Sequence, residues 1–225
     1  MKLEINKQIF ERIPSLKVGV LVLSGVDNKA DISKFFDSEI ELITKNLTSR
    51  FDGVELGEYP LVQTWREIYK SFGEKKARSS IESLIRRILS GKGLYRINPL
   101  VDLYNLASLH FELPCGGEDV DSMKAPLELT VANGSEVFLP LGATQTENPN
   151  NGEIIYKSGD VVVCRNFNYR ESDITKLTED TTRAILVFEC AFGDESKLND
   201  AVTWLGDKAE TLLGAKVESI EIIGG

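Results

Sequence analysis

Residues 184–192, AILVFECAF, are the most apolar stretch of the chain. The run is far too short to cross a membrane. Its branched and aromatic side chains read as a strand covered on both faces, so the chain must fold around it as a central strand. In the middle stands Glu189. A carboxylate placed there either faces a pocket or bears a large desolvation penalty, unless it sits at an outward edge position. No other single residue says as much about where chemistry could lie.

The rest of the pattern supplies layers for that strand. Residues 16–24, LKVGVLVLS, alternate and are rich in Val and Leu, which predicts a second partly buried strand. Residues 31–50 place Ile32, Phe35, Phe36, Ile40, Leu42, Ile43 and Leu47 near helical spacing, so a helix starts near Asp31. Pro60 opens another helix, stopped by Gly73. Ser79 and Ser80 open a third, stopped by Gly91. Asn98-Pro99 is a strong helix start, with Asn as cap and Pro in the first turn. Short strands are expected at 126–131, 136–141, 153–157 and 160–164, joined by Asn-Gly and Ser-Gly turns. A helix over 195–213 and an alternating strand over 217–223 close the chain. The expectation is a single α+β domain over residues 1–225, with helices in the N-terminal half packed on a mostly antiparallel sheet in the C-terminal half.

Composition narrows the function. The 225 residues are 42% hydrophobic and 27% charged, an ordinary globular balance. Lys and Arg number 26 against 35 Asp and Glu, a net charge of −9 that argues against broad DNA contact. Cys115, Cys164 and Cys190 show no CxxC spacing and read as reduced thiols. With His110 as the single histidine, a zinc site or His-based triad lacks partners. No metal and no cofactor are expected. A charged N-terminus without an apolar core sets a cytoplasmic expectation, with no membrane partner.

Polar residues in apolar surroundings mark the candidate sites. The helix after Asn98 is apolar almost all round, yet carries Asp102 and Asn105 three residues apart. A capping and core network fits them, and so does the polar wall of a ligand pocket. His110, late in the same helix, reads as a packed core residue. Leu113-Pro114-Cys115-Gly116-Gly117-Glu118-Asp119 reads as a turn, or as backbone that something approaches closely. It is no phosphate loop. Arg165-Asn166-Phe167-Asn168-Tyr169-Arg170 packs forked donors, amides and stacking faces into six residues, a set suited to recognition. Lys75, Lys76, Arg78, Arg86, Arg87, Lys92 and Arg96 form a local basic face, either solvated helix surface or a contact for an RNA backbone.

RINPLVDLYNLASLHFELPCGGEDVD (96–121) resembles the stretch R-x-N-x-x-V-D-x-x-N-Y…P-x-H-x-F-D in the B3/B4 editing module of the phenylalanyl-tRNA synthetase beta subunit. TEDTTRAILVFECA (178–191) resembles the T-E-x-T-T…L-x-S-A segment of that module. WREIYKSFG (65–73) and the SSIESLIRR helix look like its free-standing relatives, so the similarity covers about residues 60–195. The resemblance implies an α+β module with a sheet-lined pocket that hydrolyses the ester between a wrong amino acid and the terminal adenosine of tRNA.

Carried over by position, Asn105 and Glu189 would be catalytic. Asn98, Asp102, Asp119 and Ala191 would bind substrate, and in a deacylase the backbone around Gly116 and Gly117 would hold the ester carbonyl or the ribose. The recognition set adds Arg165, Asn166 and Asn168, and Arg86, Arg87 and Lys92 are the expected RNA contacts. The family's pocket histidine falls on Gly116, and the Arg165–Arg170 segment replaces a shorter Met-Gly-Gly turn, which points away from tyrosine as the rejected amino acid. The expected function is therefore an aminoacyl-tRNA deacylase acting in trans on the aminoacylated 3′ end, and not a tRNA ligase. A non-catalytic RNA- or tRNA-binding module and a small-molecule domain for an amino acid or nucleoside are the alternatives.

Overall fold

A computed structural model describes all 225 residues. In chain order the elements are β1 (Leu3–Ile5), α1 (Lys7–Arg12), β2 (Lys17–Ser24), α2 (Ser33–Arg50), α3 (Pro60–Ser71), α4 (Ser80–Leu89), α5 (Pro99–Phe111), β3 (Cys115–Asp119), β4 (Leu127–Val131), β5 (Ile154–Ser158), β6 (Val161–Arg165), β7 (Arg170–Glu171), β8 (Arg183–Cys190), α6 (Glu195–Leu213) and β9 (Lys216–Gly224).

The helix signals act as the sequence predicts. The Ser79 hydroxyl accepts from Glu82 N at 3.3 Å and starts α4. The Asn98 side chain accepts from Val101 N at 3.1 Å, with Pro99 as the first residue of α5. Each such cap satisfies an orphan amide and stabilises its helix by about 1 kcal/mol. Gly73 and Gly91 take φ of 87° and 73°, a left-handed turn that ends the helix before each of them.

Instead of one sheet the strands form two. β8 lies inside an antiparallel sheet of order β3-β8-β2-β9, and the other sheet has the order β1-β4-β5-β6-β7. β1 pairs parallel with β4, and the remaining pairs are antiparallel. α5 and α6 pack on the β8 sheet, burying Leu198, Val202 and Leu205 of α6. Gly19 of β2 makes that approach close, since a Cβ there would lie 2.9 Å from Val202 Cγ1. The other helices bury Trp65, Ile81 and Ile85 in a second apolar core.

Two further expectations change. Residues 136–141 form isolated bridges, not a strand. There the Glu136 carboxylate bends back to accept from Asn133 N and Gly134 N, and Pro140 interrupts any ladder. The CGGED segment is a strand, β3, not a turn. Gly117 is required in it because a Cβ would collide with Leu186 Cδ2 on β8. The N-terminal residues, without a strong pattern of their own, supply β1 and α1.

Candidate functional site

A cavity of about 310 Å³ lies between the two sheets, lined also by residues of α4 and α5. One wall is β3 and β8, contributing Gly116, Gly117, Glu118, Val187 and Glu189. The opposite wall is Leu127, Tyr156, Cys164 and Glu171 from β4 to β7. Tyr104 and Asn105 enter from α5, and Asn168 and Tyr169 from the loop after β6.

Glu189 is 2% exposed and points inward. Tyr156 donates its hydroxyl to Oε1 at 3.0 Å, and Asn168 donates Nδ2 to Oε2 at 3.2 Å. Burial pushes the carboxyl up from 4.5 to about 8, against the opposing pull of those two hydrogen bonds. Asn168 is itself fixed, because its Oδ1 accepts from Tyr69 Oη at 3.0 Å and Ser80 N at 2.8 Å. The chain turns there through Asn166 and Phe167, both left-handed with φ of 52° and 57°. For Phe167 such a conformation costs on the order of 1–3 kcal/mol. It is offset by burial of the ring edge-on against Trp65, centroids 5.6 Å apart, and against Phe72. The strained turn thus drives Phe167 into the core and leaves Asn168 aimed at Glu189.

A second carboxyl group cluster was not foreseen. Glu118 of β3 and Glu171 of β7 face each other across the cavity wall. Glu118 Oε2 and Glu171 Oε1 are buried and receive no hydrogen bond from a protein donor. Burial, and then the facing Glu171 carboxyl, drive Glu118 well above the ordinary carboxylate range. Burial raises Glu171 to about 7, opposed by its hydrogen bonds with Glu118 and the Ser172 amide. Two carboxylates this close do not both ionise, and one proton between them satisfies both oxygens. The signal for Glu118 lies in the sequence once CGGED is a strand, because Gly116 and Glu118 share one face. Glu171, in a two-residue strand after an irregular turn, gave none.

Five of the anticipated site residues, Asn105, Gly116, Gly117, Asn168 and Glu189, come together in this cavity. A Cβ at Gly116 would meet nothing within 4 Å, so the position is open space. The others lie elsewhere and are structurally occupied. Asn98 caps α5 and donates to Leu177 O at 3.1 Å. Asp102, in the first turn of α5 and outside the cavity lining, accepts from Arg96 Nε at 2.5 Å and Ile97 N at 3.0 Å. Asp119 Oδ2 accepts from Thr181 Oγ1 at 2.7 Å, and Oδ1 from Asp121 N at 2.9 Å. The Ala191 carbonyl accepts from Ser15 Oγ at 2.6 Å. Asn166 holds the turn, its amide donating to Ile154 O at 2.8 Å.

Arg165 is turned away from the cavity. It grips Glu153 with Nε and Nη2 at 2.6 and 2.5 Å, and also pairs with Glu147. Breaking such a buried pair costs about 3–5 kcal/mol, which makes this arginine a tie for the 147–153 loop. His110 is exposed and stacks on Trp204 at 5.9 Å rather than packing in the core. Of the anticipated RNA contacts, Arg86 bonds Glu82 at 2.9 Å. Arg87 donates to Gly93 O at 2.7 Å and lies 3.6 Å over the Tyr95 ring, while Lys92 is exposed.

The fold around this cavity belongs to a recognisable class. A family model described as the B3/4 domain matches residues 64–206, and the chain belongs to that family. Among solved structures it is similar to an N-terminal fragment of the phenylalanyl-tRNA synthetase beta-subunit from Pyrococcus horikoshii. The identity is 13% and the TM-score 0.50, over 100% of this chain and 54% of that one, a likeness of fold. The chain therefore spans about half the length of that fragment. Among curated proteins no match was found.

Proposed function

We propose that this protein hydrolyses, in trans, the ester joining a mismatched amino acid to the 3′-terminal adenosine of a tRNA. The observation that carries the reading is Glu189, a buried carboxyl held by Tyr156 and Asn168 in the wall of a cavity sized for one amino acid. Membership of the B3/4 family and likeness in fold to part of a tRNA synthetase subunit support it.

In this reading Glu189, held protonated by burial while the cavity is empty, gives up its proton as the positively charged α-ammonium group of the substrate binds beside it, and the Asn105 amide donates to the ester carbonyl as negative charge develops on it. Gly116, lacking a side chain, leaves room for a water beside the carbonyl carbon. Water attacks that carbon, the bond to the ribose oxygen breaks, and the ribose hydroxyl leaves with a proton. The ester is already activated, so positioning supplies much of the acceleration. Glu171, raised to about 7, is suited to take the proton from the attacking water and return it to the departing ribose oxygen.

The cavity volume also favours a second reading, in which a free amino acid or nucleoside is the ligand. A deacylation screen separates the two. Many aminoacyl-tRNAs, correctly and wrongly charged, are incubated with the protein and release of amino acid is followed. Accelerated release from a subset supports hydrolysis. Binding of tRNA without release from any of them would leave a non-catalytic RNA-binding module. Binding of a free amino acid or nucleoside without tRNA would establish the second reading.

A further inference from the structure

The segment joining α3 to α4 forms a second concavity, about 630 Å³, walled by Arg66, Lys70, Lys75, Lys76, Ala77 and Arg78. Five of the six are cations, in a chain whose net charge is −9. Two carboxylates, Glu67 and Glu74, lie on the same stretch and leave it clearly positive. The five cations differ in how far they are committed. Arg66 is spent on Glu82, which it holds with Nε at 3.2 Å and Nη2 at 2.6 Å. Glu82 is fully buried, which raises its pKa, but hydrogen bonds from Arg66 and Arg86 outweigh burial and keep it ionised. Lys70, Lys75 and Lys76 are exposed and make neither an ion pair nor a side-chain hydrogen bond. Arg78 Nε stands 3.9 Å from Glu82, beyond hydrogen-bond reach, with its side chain 56% exposed.

Arg78 has a second property. It lines this concavity and also the cavity that holds Glu189. One guanidinium therefore marks the place where the two spaces adjoin. The Glu189 cavity takes a single amino acid, so any polynucleotide attached to that amino acid must leave past its rim. Over most of an acidic surface phosphates are repelled, whereas on the Arg78 side they meet unpaired cations.

We propose that the concavity of Lys70, Lys75, Lys76 and Arg78 binds the phosphate backbone of an RNA strand whose 3′ end passes Arg78 into the Glu189 cavity. This rests on the reading of that cavity as an aminoacyl-ester site. Arg78 supplies the fork that matches a phosphate at the threshold, and the lysines supply point charges along the strand. The basic residues of α4 singled out by sequence play another part. Arg86 and Arg87 are satisfied within the chain and shape α4 and its exit loop.

The test is binding of bulk uncharged tRNA across a range of salt, beside hydrolysis of aminoacyl-tRNA and of a short aminoacyl-adenosine. In the K70A/K75A/K76A variant, the slope of log affinity against log salt should fall by roughly two to three, about one per lost phosphate contact. Its kcat/KM should drop on aminoacyl-tRNA and stay at the wild-type value on aminoacyl-adenosine. Arg78→Ala should lower the slope by about one. An unchanged slope in the triple lysine variant, or the loss appearing in R87A/K92A instead, overturns this surface and leaves the ester reading intact. Hydrolysis of aminoacyl-adenosine with no tRNA binding at low salt overturns the surface as well. Absence of both activities overturns surface and ester reading together.

Discussion

Glu189 shows how a buried acid can be both a cost and a tool. In the unfolded chain it loses its proton near 4.5, and in the folded protein near 8. Between those values the native state holds more protons than the unfolded state, so stability falls as pH rises through the window and levels off above it. Glu171 adds to the same trend up to about 7. Glu189→Gln keeps the shape and removes the penalty. Its stability should match the wild type near pH 5 and exceed it at pH 8 by on the order of a few kcal/mol, read as a raised melting temperature. On the same samples the deacylation rate should fall at least about tenfold, the loss of roughly one charge-assisted contact. A variant that loses stability at pH 8 while hydrolysing at the wild-type rate would make Glu189 a core residue and nothing more. This residue was legible in the sequence because a charge inside AILVFECAF has few explanations. Arg165 was misleading for a related reason. Composition shows that a donor-rich residue needs partners, but not that Glu147 and Glu153, on a polar loop twelve or more positions earlier, already satisfy it.

At the scale of elements, the helices were readable because their start and stop signals are local. Ser79, Asn98, Pro60 and the glycines after α3 and α4 act within a few residues of where they stand. β3 was not readable, since its two glycines make sense only against β8, some seventy residues later. Adjacent in sequence, they serve opposite faces of the strand, and alanine separates them. Gly117→Ala drives a methyl into Leu186 and sits 3.1 Å from Leu177 Cδ1, an overpacking that should cost about 1–3 kcal/mol. Gly116→Ala adds the same methyl to open space and should leave the stability within about 0.5 kcal/mol of wild type. A larger residue at 116 narrows the cavity and should raise KM before it alters stability. Thermal unfolding and steady-state kinetics of the pair check both statements, and equal destabilisation by the two alanines would contradict the placement of the cavity on the Gly116 face.

For the whole molecule, the division into two sheets was the main feature hidden from the sequence. The order of strands along the chain does not show that β1, from the N-terminus, joins β4 while β2 joins β8. Pairings so distant depend on which apolar faces meet, and a linear pattern cannot specify that. The division also means that no single sheet owns the cavity. Cys164 of β6 pairs with Tyr156 in the cavity wall, whereas Cys115 of β3 shares with Phe188 and Cys190 the face turned to α5 and α6. Burial raises Cys115 and Cys164 well above the ordinary thiol range, so neither reacts readily while the core stays packed. Cys164 is in effect a built-in clock for the parting of the two sheets. Its alkylation by a small reagent, followed by mass spectrometry, should run ahead of that of Cys115 and slow when the cavity is filled. Cys115 and Cys190, buried in the other core, should be labelled only as the whole chain unfolds.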